Sequence, residues 1–270
     1  MARRYGVRPN KALGQHFLAD PNLVRALVAD AGVGPGDRVL EVGAGFGSIT
    51  LELARAGTHV LAVEFDRQLV PALREVAGGL PGVRIEAVDA MRADWDRLLE
   101  GDQWVLVANL PYNISVPLLV ELLEDVPKIV RYVVMVQREV GERLVAGPGD
   151  EAYGTVSLRM SYRADTELLR RVPADVFWPR PNVDSVLVRL DPRPPSVSVD
   201  PIALFRVVEV AFGERRKTMV NALRRLGRSR DEAEGALVAT GIDPSTRPEQ
   251  VGLEGFARLT EGLLARGWRP

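Results

Sequence analysis

Five short apolar runs, each rich in valine, recur along the first half of the chain. They are RVLEV (38–42), HVLAVE (59–64), VRIEAV (83–88), QWVLVA (103–108) and YVVMVQ (132–137). Runs of this length with little polar alternation predict strands covered on both faces of a sheet. Between them lie segments of helical period at 48–56, 66–77, 93–100 and 115–124. Strands alternating with helices predict a doubly wound α/β domain with a mainly parallel sheet. Upstream, DPNLVRALVADAGV predicts a helix with Asp20 as N-cap and Pro21 in its first position. TVSLRMSY (155–162) and SVLVRL (185–190) read as two further strands, for a sheet of seven. A proline-rich linker, DPRPPSVSVDP (191–201), follows. Beyond it, IALFRVVEVAF, RKTMVNALRRL, RDEAEGALVAT and LEGFARLTEGLLARG all have helical period and no strand signal. The pattern therefore predicts an α/β domain over 1–195 and a small all-helical domain over 196–270.

Composition narrows the chemistry. With no cysteine and two histidines, His16 and His59, among 270 residues, disulfides, thiol nucleophiles and Cys-based metal sites are excluded, and a His-based metal cluster is a poor fit. No metal site is expected. No apolar run approaches the ~20 residues of a membrane helix. MARRYGVRPNKALGQHF has no apolar segment of the signal-peptide kind. A cytoplasmic, membrane-free protein is expected.

The net charge is −1, but its distribution is uneven. Residues 1–19 carry Arg3, Arg4, Arg8 and Lys11 and no acid, a sum of +4. Residues 204–230 carry Arg206, Arg215, Arg216, Lys217, Arg224, Arg225, Arg228 and Arg230 against Glu209 and Glu214, a sum of +6. Two basic segments on an otherwise acidic chain suit a polyanionic partner, although solvated charged faces would look the same. In the second segment, a helix over 216–226 would bury Met219, Leu223 and Leu226 and leave Arg216, Lys217, Arg224 and Arg225 free to meet phosphates.

The strand ends carry the candidate site. EVGAGFGS (41–48) places Gly43, Gly45 and Gly47 in the turn before a helix, where backbone can approach a ligand. A dinucleotide fingerprint would require glycine at Ser48, so hydride transfer loses ground. The second strand ends at Glu64, where an acid can accept hydrogen bonds from ribose hydroxyls. The third ends in Val88-Asp89-Ala90, and Asp89 can take the exocyclic amine of an adenine. Singly, Glu64 reads better as a helix cap and Asp89 as a turn residue. In strand order, together with the glycine turn, they point to a nucleoside cofactor.

The fourth strand runs into Asn109-Leu110-Pro111-Tyr112. A strand end has no need of an amide, a proline and an aromatic in that order, whereas a site for a flat polar ring does. The N6 of adenine is a weak nucleophile because its lone pair is delocalised into the ring. Acceptors for both its hydrogens, the Asn109 side-chain oxygen and the Leu110 carbonyl, would move it toward a tetrahedral geometry. Tyr112 would stack on a base that has left its own stack.

With these motifs the chain resembles the S-adenosylmethionine-dependent ribosomal RNA adenine N6-methyltransferases, and more closely the small-subunit (16S) adenine N6,N6-dimethyltransferases. The resemblance runs nearly end to end. GQHFLAD (14–20) resembles the family's first cofactor motif, with His16 where asparagine is common. QREVGERLVA (137–146), YGTVSLRM (153–160), FWPRPNVDS (177–185) and FGERRKTMVNAL (212–223) resemble later motifs. The resemblance implies a Rossmann-like methyltransferase domain with S-adenosylmethionine held by His16, Leu18, Gly43, Gly45, Glu64, Asp89, Ala90 and Asn109. It implies Asn109, Leu110 and Tyr112 around the target adenine, with Phe177 on the opposite face of the base. Arg215, Arg216, Lys217, Arg224 and Arg225 would bind RNA in a monomer acting on the small subunit or its precursor. The expected product is dimethyladenosine at two adjacent positions in the 3′-terminal hairpin loop. Two alternatives share much of this set: the macrolide-resistance methyltransferases of large-subunit rRNA and RNA-binding assembly factors. The Leu110 form of the motif and RRKTMVNAL favour the small-subunit type.

Overall fold

The computed structural model describes residues 1–10 and 13–270; Lys11, counted in the basic arm, lies outside them. The chain forms two compact units. One comprises Met1–Gly141 with Asp165–Pro192, the other Glu142–Ala164 with Arg193–Pro270. The linker near residue 195 thus lies close to one crossing between units. The excursion of 142–164 into the second unit is additional to the single boundary read from the sequence.

The first unit holds nearly all the strands. These are β1 (Phe17–Leu18), β2 (Arg38–Val42), β3 (His59–Val63), β4 (Val83–Glu86), β5 (Trp104–Asn109), β6 (Ile129–Gln137), β7 (Ala164–Val172), β8 (Phe177–Trp178) and β9 (Ser185–Pro192). Seven form one sheet in the order β4-β3-β2-β5-β6-β9-β7, while β1 and β8 pair separately. The pairs β2–β3, β3–β4, β2–β5 and β5–β6 are parallel, and β6–β9 is antiparallel. Four consecutive residues of β2, from Val39 to Val42, are buried, as are Val60 to Val63 of β3. Burial on both faces is what the uninterrupted apolar runs require. Chain order reverses between β2 and β5, and the crevice at the carboxyl ends of strands at such a point is where open sheets hold ligands.

Helix Pro21–Ala31 begins as expected, with the Asp20 side chain accepting from the Asn22 N–H at 2.8 Å. One expected strand is a helix. TVSLRMSY forms Thr155–Arg163, although its apolar residues alternate. Leu158 and Tyr162, four apart, enter the core of the second unit, and Tyr162 meets Phe205 edge-on at 5.4 Å. Ser157 is buried with them because its hydroxyl accepts from the Gly154 N–H at 3.1 Å and donates to the Arg143 carbonyl at 2.7 Å. A satisfied serine inside the helical stripe gives the sequence a false period of two. The seventh strand is instead β7, ADTELLRRV, whose edge position tolerates its charges.

The second unit packs this helix with Pro201–Gly213, Met219–Leu223, Arg230–Ala239 and Leu253–Ala265 around Leu204, Val208, Met219, Leu223 and Phe256. The helix expected over 216–226 is shorter, spanning Met219–Leu223 with a 3-10 turn at Arg224–Leu226. Arg216 and Lys217 precede it. Met219 and Leu223 are fully buried, and Leu226 packs partly buried against the same core.

Candidate active site

A cavity of about 270 Å³ opens at the carboxyl ends of β2, β3 and β5 and in the turn after β4. His16, Leu18, Gly43, Gly45, Glu64, Asp89, Ala90, Asn109, Leu110 and Tyr112 all line it. Phe177 does not. Its ring is 4 % exposed and belongs to the same core cluster as Leu18 and Val24. It therefore backs the wall through Leu18, its partner across the β1–β8 pair.

The glycine turn is shaped by close approach. Gly43 and Gly45 have φ of 77° and 58°, a region other residues enter at a cost. A Cβ on Gly43 would lie 3.2 Å from Pro111 Cδ, and one on Gly45 3.0 Å from the Phe17 ring. A side chain at either position would press on a residue that lines the cavity.

Glu64 ties this turn to the next. One carboxylate oxygen accepts from the Gly45 N–H and the other from the Asp66 N–H, both at 2.8 Å. Burial raises its pKa, and the two amide bonds pull the other way. Each oxygen has a second lone pair, so the group can hold the loop and still accept from a ligand hydroxyl. Asp89 likewise caps the turn after β4, accepting from the Met91 N–H at 3.0 Å. Asp89 is thus a turn residue as local structure, whereas Glu64 holds the loop ahead of helix Val70–Ala77 and does not cap it; both side chains still face the cavity.

Asn109 is held in one orientation. Its Nδ2 donates to the His16 carbonyl at 2.8 Å. A carbonyl only accepts, so the amide nitrogen must face it and Oδ1 must face away. That Oδ1 is buried and has no protein partner. Leu110, buried at the strand end, donates its N–H to the Met135 carbonyl at 3.0 Å. The Tyr112 hydroxyl lies 2.8 Å from Ser185 Oγ, and burial raises its pKa against that bond. The His16 ring stacks on Tyr112 at 5.2 Å and 29°. Its Nδ1 is 2.7 Å from the Pro179 carbonyl, and so carries the proton.

Glu41, Phe46, Phe65 and Met91 also line the cavity and were not singled out in the sequence. Glu41 had a signal, an acid inside a buried apolar strand. It is 1 % exposed; Oε2 accepts from the Thr50 hydroxyl at 2.5 Å and Oε1 has no partner. Burial pushes its pKa up to about 8.

The basic residues lie on the second unit. Arg215, Arg216, Lys217, Arg224 and Arg225 are all exposed. Arg215 donates to the Glu151 carbonyl and Arg225 pairs with Glu214 at 2.7 Å. Among the described residues no group of three or more His, Cys, Asp or Glu is placed to hold a metal ion, and no helix is long and apolar enough to cross a membrane.

A family model described as ribosomal RNA adenine dimethylase matches residues 6–263. The ribosomal RNA small subunit methyltransferase A of Moorella thermoacetica is 43 % identical, over 97 % of this chain and 95 % of its own length. That of Thermobifida fusca is 44 % identical, over 97 % and 92 %. Among solved structures, the 23S rRNA methyltransferase ErmE superposes with a TM-score of 0.69 at 26 % identity, covering 92 % of this chain and 99 % of its own. A Plasmodium falciparum dimethyladenosine transferase does so with a TM-score of 0.77 at 22 % identity, over 94 % and 99 %, a likeness of fold.

Proposed function

The chain belongs to the ribosomal RNA adenine dimethylase family, and on that footing we propose that it dimethylates N6 of two adjacent adenosines in the 3′-terminal hairpin loop of small-subunit rRNA. It is an S-adenosylmethionine-dependent methyltransferase. The observation that carries the site assignment is the Asn109 oxygen, fixed as an acceptor and unpartnered within the cavity. Its near end-to-end identity to the small-subunit enzymes, at 43–44 %, favours that substrate over large-subunit rRNA.

The residues present fit the cofactor. The glycine turn leaves room for a ligand against backbone, Glu64 and Asp89 offer acceptors for ribose and base, and the Glu41 oxygen is an unpartnered group for a cation. When bound, S-adenosylmethionine supplies an electrophilic methyl group on a sulfonium. The chain's own contribution is positioning. Asn109 Oδ1 and the Leu110 carbonyl accept the two N6 hydrogens, and the Tyr112 ring, braced by Ser185 and His16, supports the base. No general base is required before methyl transfer, because a sulfonium would release its methyl group with a neutral thioether as leaving group, and the N6 proton can pass to water afterwards. Catalysis rests on orientation and electrostatics. Phe177, buried behind the cavity wall and paired with Leu18, would support the site from there.

The first unit would hold cofactor and target base; the exposed cations of the second would grip rRNA in the small subunit or its precursor. The protein would act as a monomer in the cytoplasm. Mass spectrometry of small-subunit rRNA from cells with and without the gene tests the reading. Dimethyladenosine should vanish from both adjacent positions in its absence, and its persistence at both would overturn the assignment.

Two further results are expected. Glu64→Ala should weaken S-adenosylmethionine binding by ~1.5–3 kcal/mol, the usual loss for a hydrogen bond to a charged group. It should also lower the melting temperature, since the Gly45 and Asp66 amides lose their acceptor. Calorimetry finding unchanged affinity in a folded variant would remove Glu64 from the site. Neutralising Arg215, Arg216 and Lys217 together should weaken subunit binding and reduce the slope of log K against log salt by up to about 2–3, roughly one for each phosphate no longer neutralised. Cofactor affinity should not move. An unchanged salt slope would make the segment a solvated face.

A further inference from the structure

Trp178 is the exposed tryptophan of this chain. Trp95, Trp104 and Trp268 are 5–6 % exposed, whereas Trp178 is 46 % exposed. An indole left half in water forgoes part of the apolar burial open to a large side chain. Its position is fixed. Trp178 pairs with Phe17 across β1 and β8, and the two rings stack at 6.1 Å and 25°. Phe17 in turn lines the cavity and meets Phe46 at 4.5 Å. The flanking backbone is clamped to the same wall. The Val176 carbonyl accepts from the Ala19 N–H at 2.9 Å, and the Pro179 carbonyl meets His16, which stacks on Tyr112. The indole therefore sits one ring beyond the cavity, with Phe17 on one face and solvent access to the remainder.

We propose that Trp178 is a stacking platform for the unpaired nucleotide adjacent to the adenosine held in the cavity, with Arg180 at its phosphate. This rests on the function proposed above. Extruding one adenosine into an enclosed site removes a stacking partner from its neighbour in the strand. An aromatic face at the mouth replaces that partner, and it does so for any base because every base has a π-face. RNA loops recognised out of the helix are bound on aromatic faces in this way. Arg180 is exposed two residues on, which gives the platform the cation a backbone phosphate needs. Of the two acids that flank this segment, Asp184 is engaged by the Ala174 N–H at 3.0 Å and Asp175, in the 3-10 turn Ala174–Val176, is exposed. Strand polarity fixes which side of the cavity the platform serves, so it would take the same-side neighbour of each target adenosine in turn, and for one of the two that neighbour is the other target. Trp178 is then a positioning residue for the RNA.

The test uses the full-length protein and small ribosomal subunits isolated from cells lacking the gene. Trp178→Ala should weaken subunit binding, and raise KM for subunits, by ~5- to ~150-fold, the range for loss of one base stack. Trp178→Phe should recover most of it. Affinity for S-adenosylmethionine should be unchanged in both. Ultraviolet crosslinking of the wild-type protein to the subunits should join the Trp178 peptide to an rRNA nucleotide beside a methylated one. Wild-type subunit affinity in Trp178→Ala would overturn the proposal. So would a crosslink from this peptide to a ribosomal protein in place of rRNA. If Trp178→Ala also loses cofactor affinity through Phe17, the crosslink decides by itself. Failure of the wild-type protein to methylate these subunits would instead count against the proposed reaction, since binding and crosslinking are read independently of turnover.

Discussion

Asn109→Ala is expected to slow methylation of small subunits by roughly 10²–10³-fold, the scale for removing one preorganised polar group from a reacting centre. The amide has one fixed orientation. Nδ2 is committed to the His16 carbonyl at 2.8 Å, which leaves Oδ1 aimed elsewhere, buried and without a protein partner. Such an acceptor carries a desolvation penalty of ~1–3 kcal/mol until something donates to it. An adenine N6 hydrogen offsets that penalty and draws the nitrogen toward a nucleophilic geometry in the same contact. Alanine removes both effects. The fold should survive, because the strand's core comes from Val105, Leu106, Val107 and Ala108. The segment at His16 loses one hydrogen bond, so cofactor affinity should be measured alongside the rate. Tyr112→Phe should be far milder, since it keeps the ring against His16 and gives up only the Ser185 contact. Subunits methylated at the normal rate by Asn109→Ala would refute the proposed mechanism.

The strands of the parallel sheet were legible because burial on both faces leaves continuous apolar runs, which few other structures produce. The strand ends were legible for a related reason. Once the order of the strands is known, Gly43, Glu64, Asp89 and Asn109 must converge on one edge. The failures have local causes. Ser157 sits in a core as a satisfied hydroxyl, and so disguised a helix as a strand. β7 is an edge strand with charged residues, and nothing in ADTELLRRV marks it as one. Phe177 and Trp178 are neighbours on a strand, so one must face the core while the other faces out. The motif names the pair, and only the pairing with β1 decides which ring is buried. Glu41 was readable in principle. A lone carboxylate in a buried strand is the kind of polar residue that needs a reason.

That reason leads to a pH dependence of stability. Glu41 is fully enclosed, with one bond from Thr50 and one oxygen unmet, and burial pushes its pKa from 4.5 to about 8. The Thr50 bond opposes this shift, and Glu64, the charged group facing it, adds to it. The folded chain therefore holds this proton more tightly than the unfolded chain. Between pH 4.5 and about 8 the unfolded state has lost the proton and the folded state retains it, so stability falls as pH rises. The group's contribution is fully present below the unfolded pKa and is gone once pH passes the folded one. At about 1.4 kcal/mol for each pH unit of such a window, the loss by pH 8 is on the order of a few kcal/mol. Glu41→Gln keeps the shape and an acceptor for Thr50 but never ionises. Its unfolding free energy, measured by denaturant titration without cofactor, should be flatter across this range than that of the wild type. Residual slope is expected from Glu64, whose pKa burial also raises. At pH 8 the variant should be the more stable protein and the weaker binder of S-adenosylmethionine, because Glu41, with its unpartnered oxygen at the cavity, would when ionised attract a cation on the ligand. Stability given up at a binding site in this way is a familiar trade. Parallel pH profiles for the two proteins would mean that Glu41 titrates as an ordinary carboxylate and that its unpartnered oxygen has some other use.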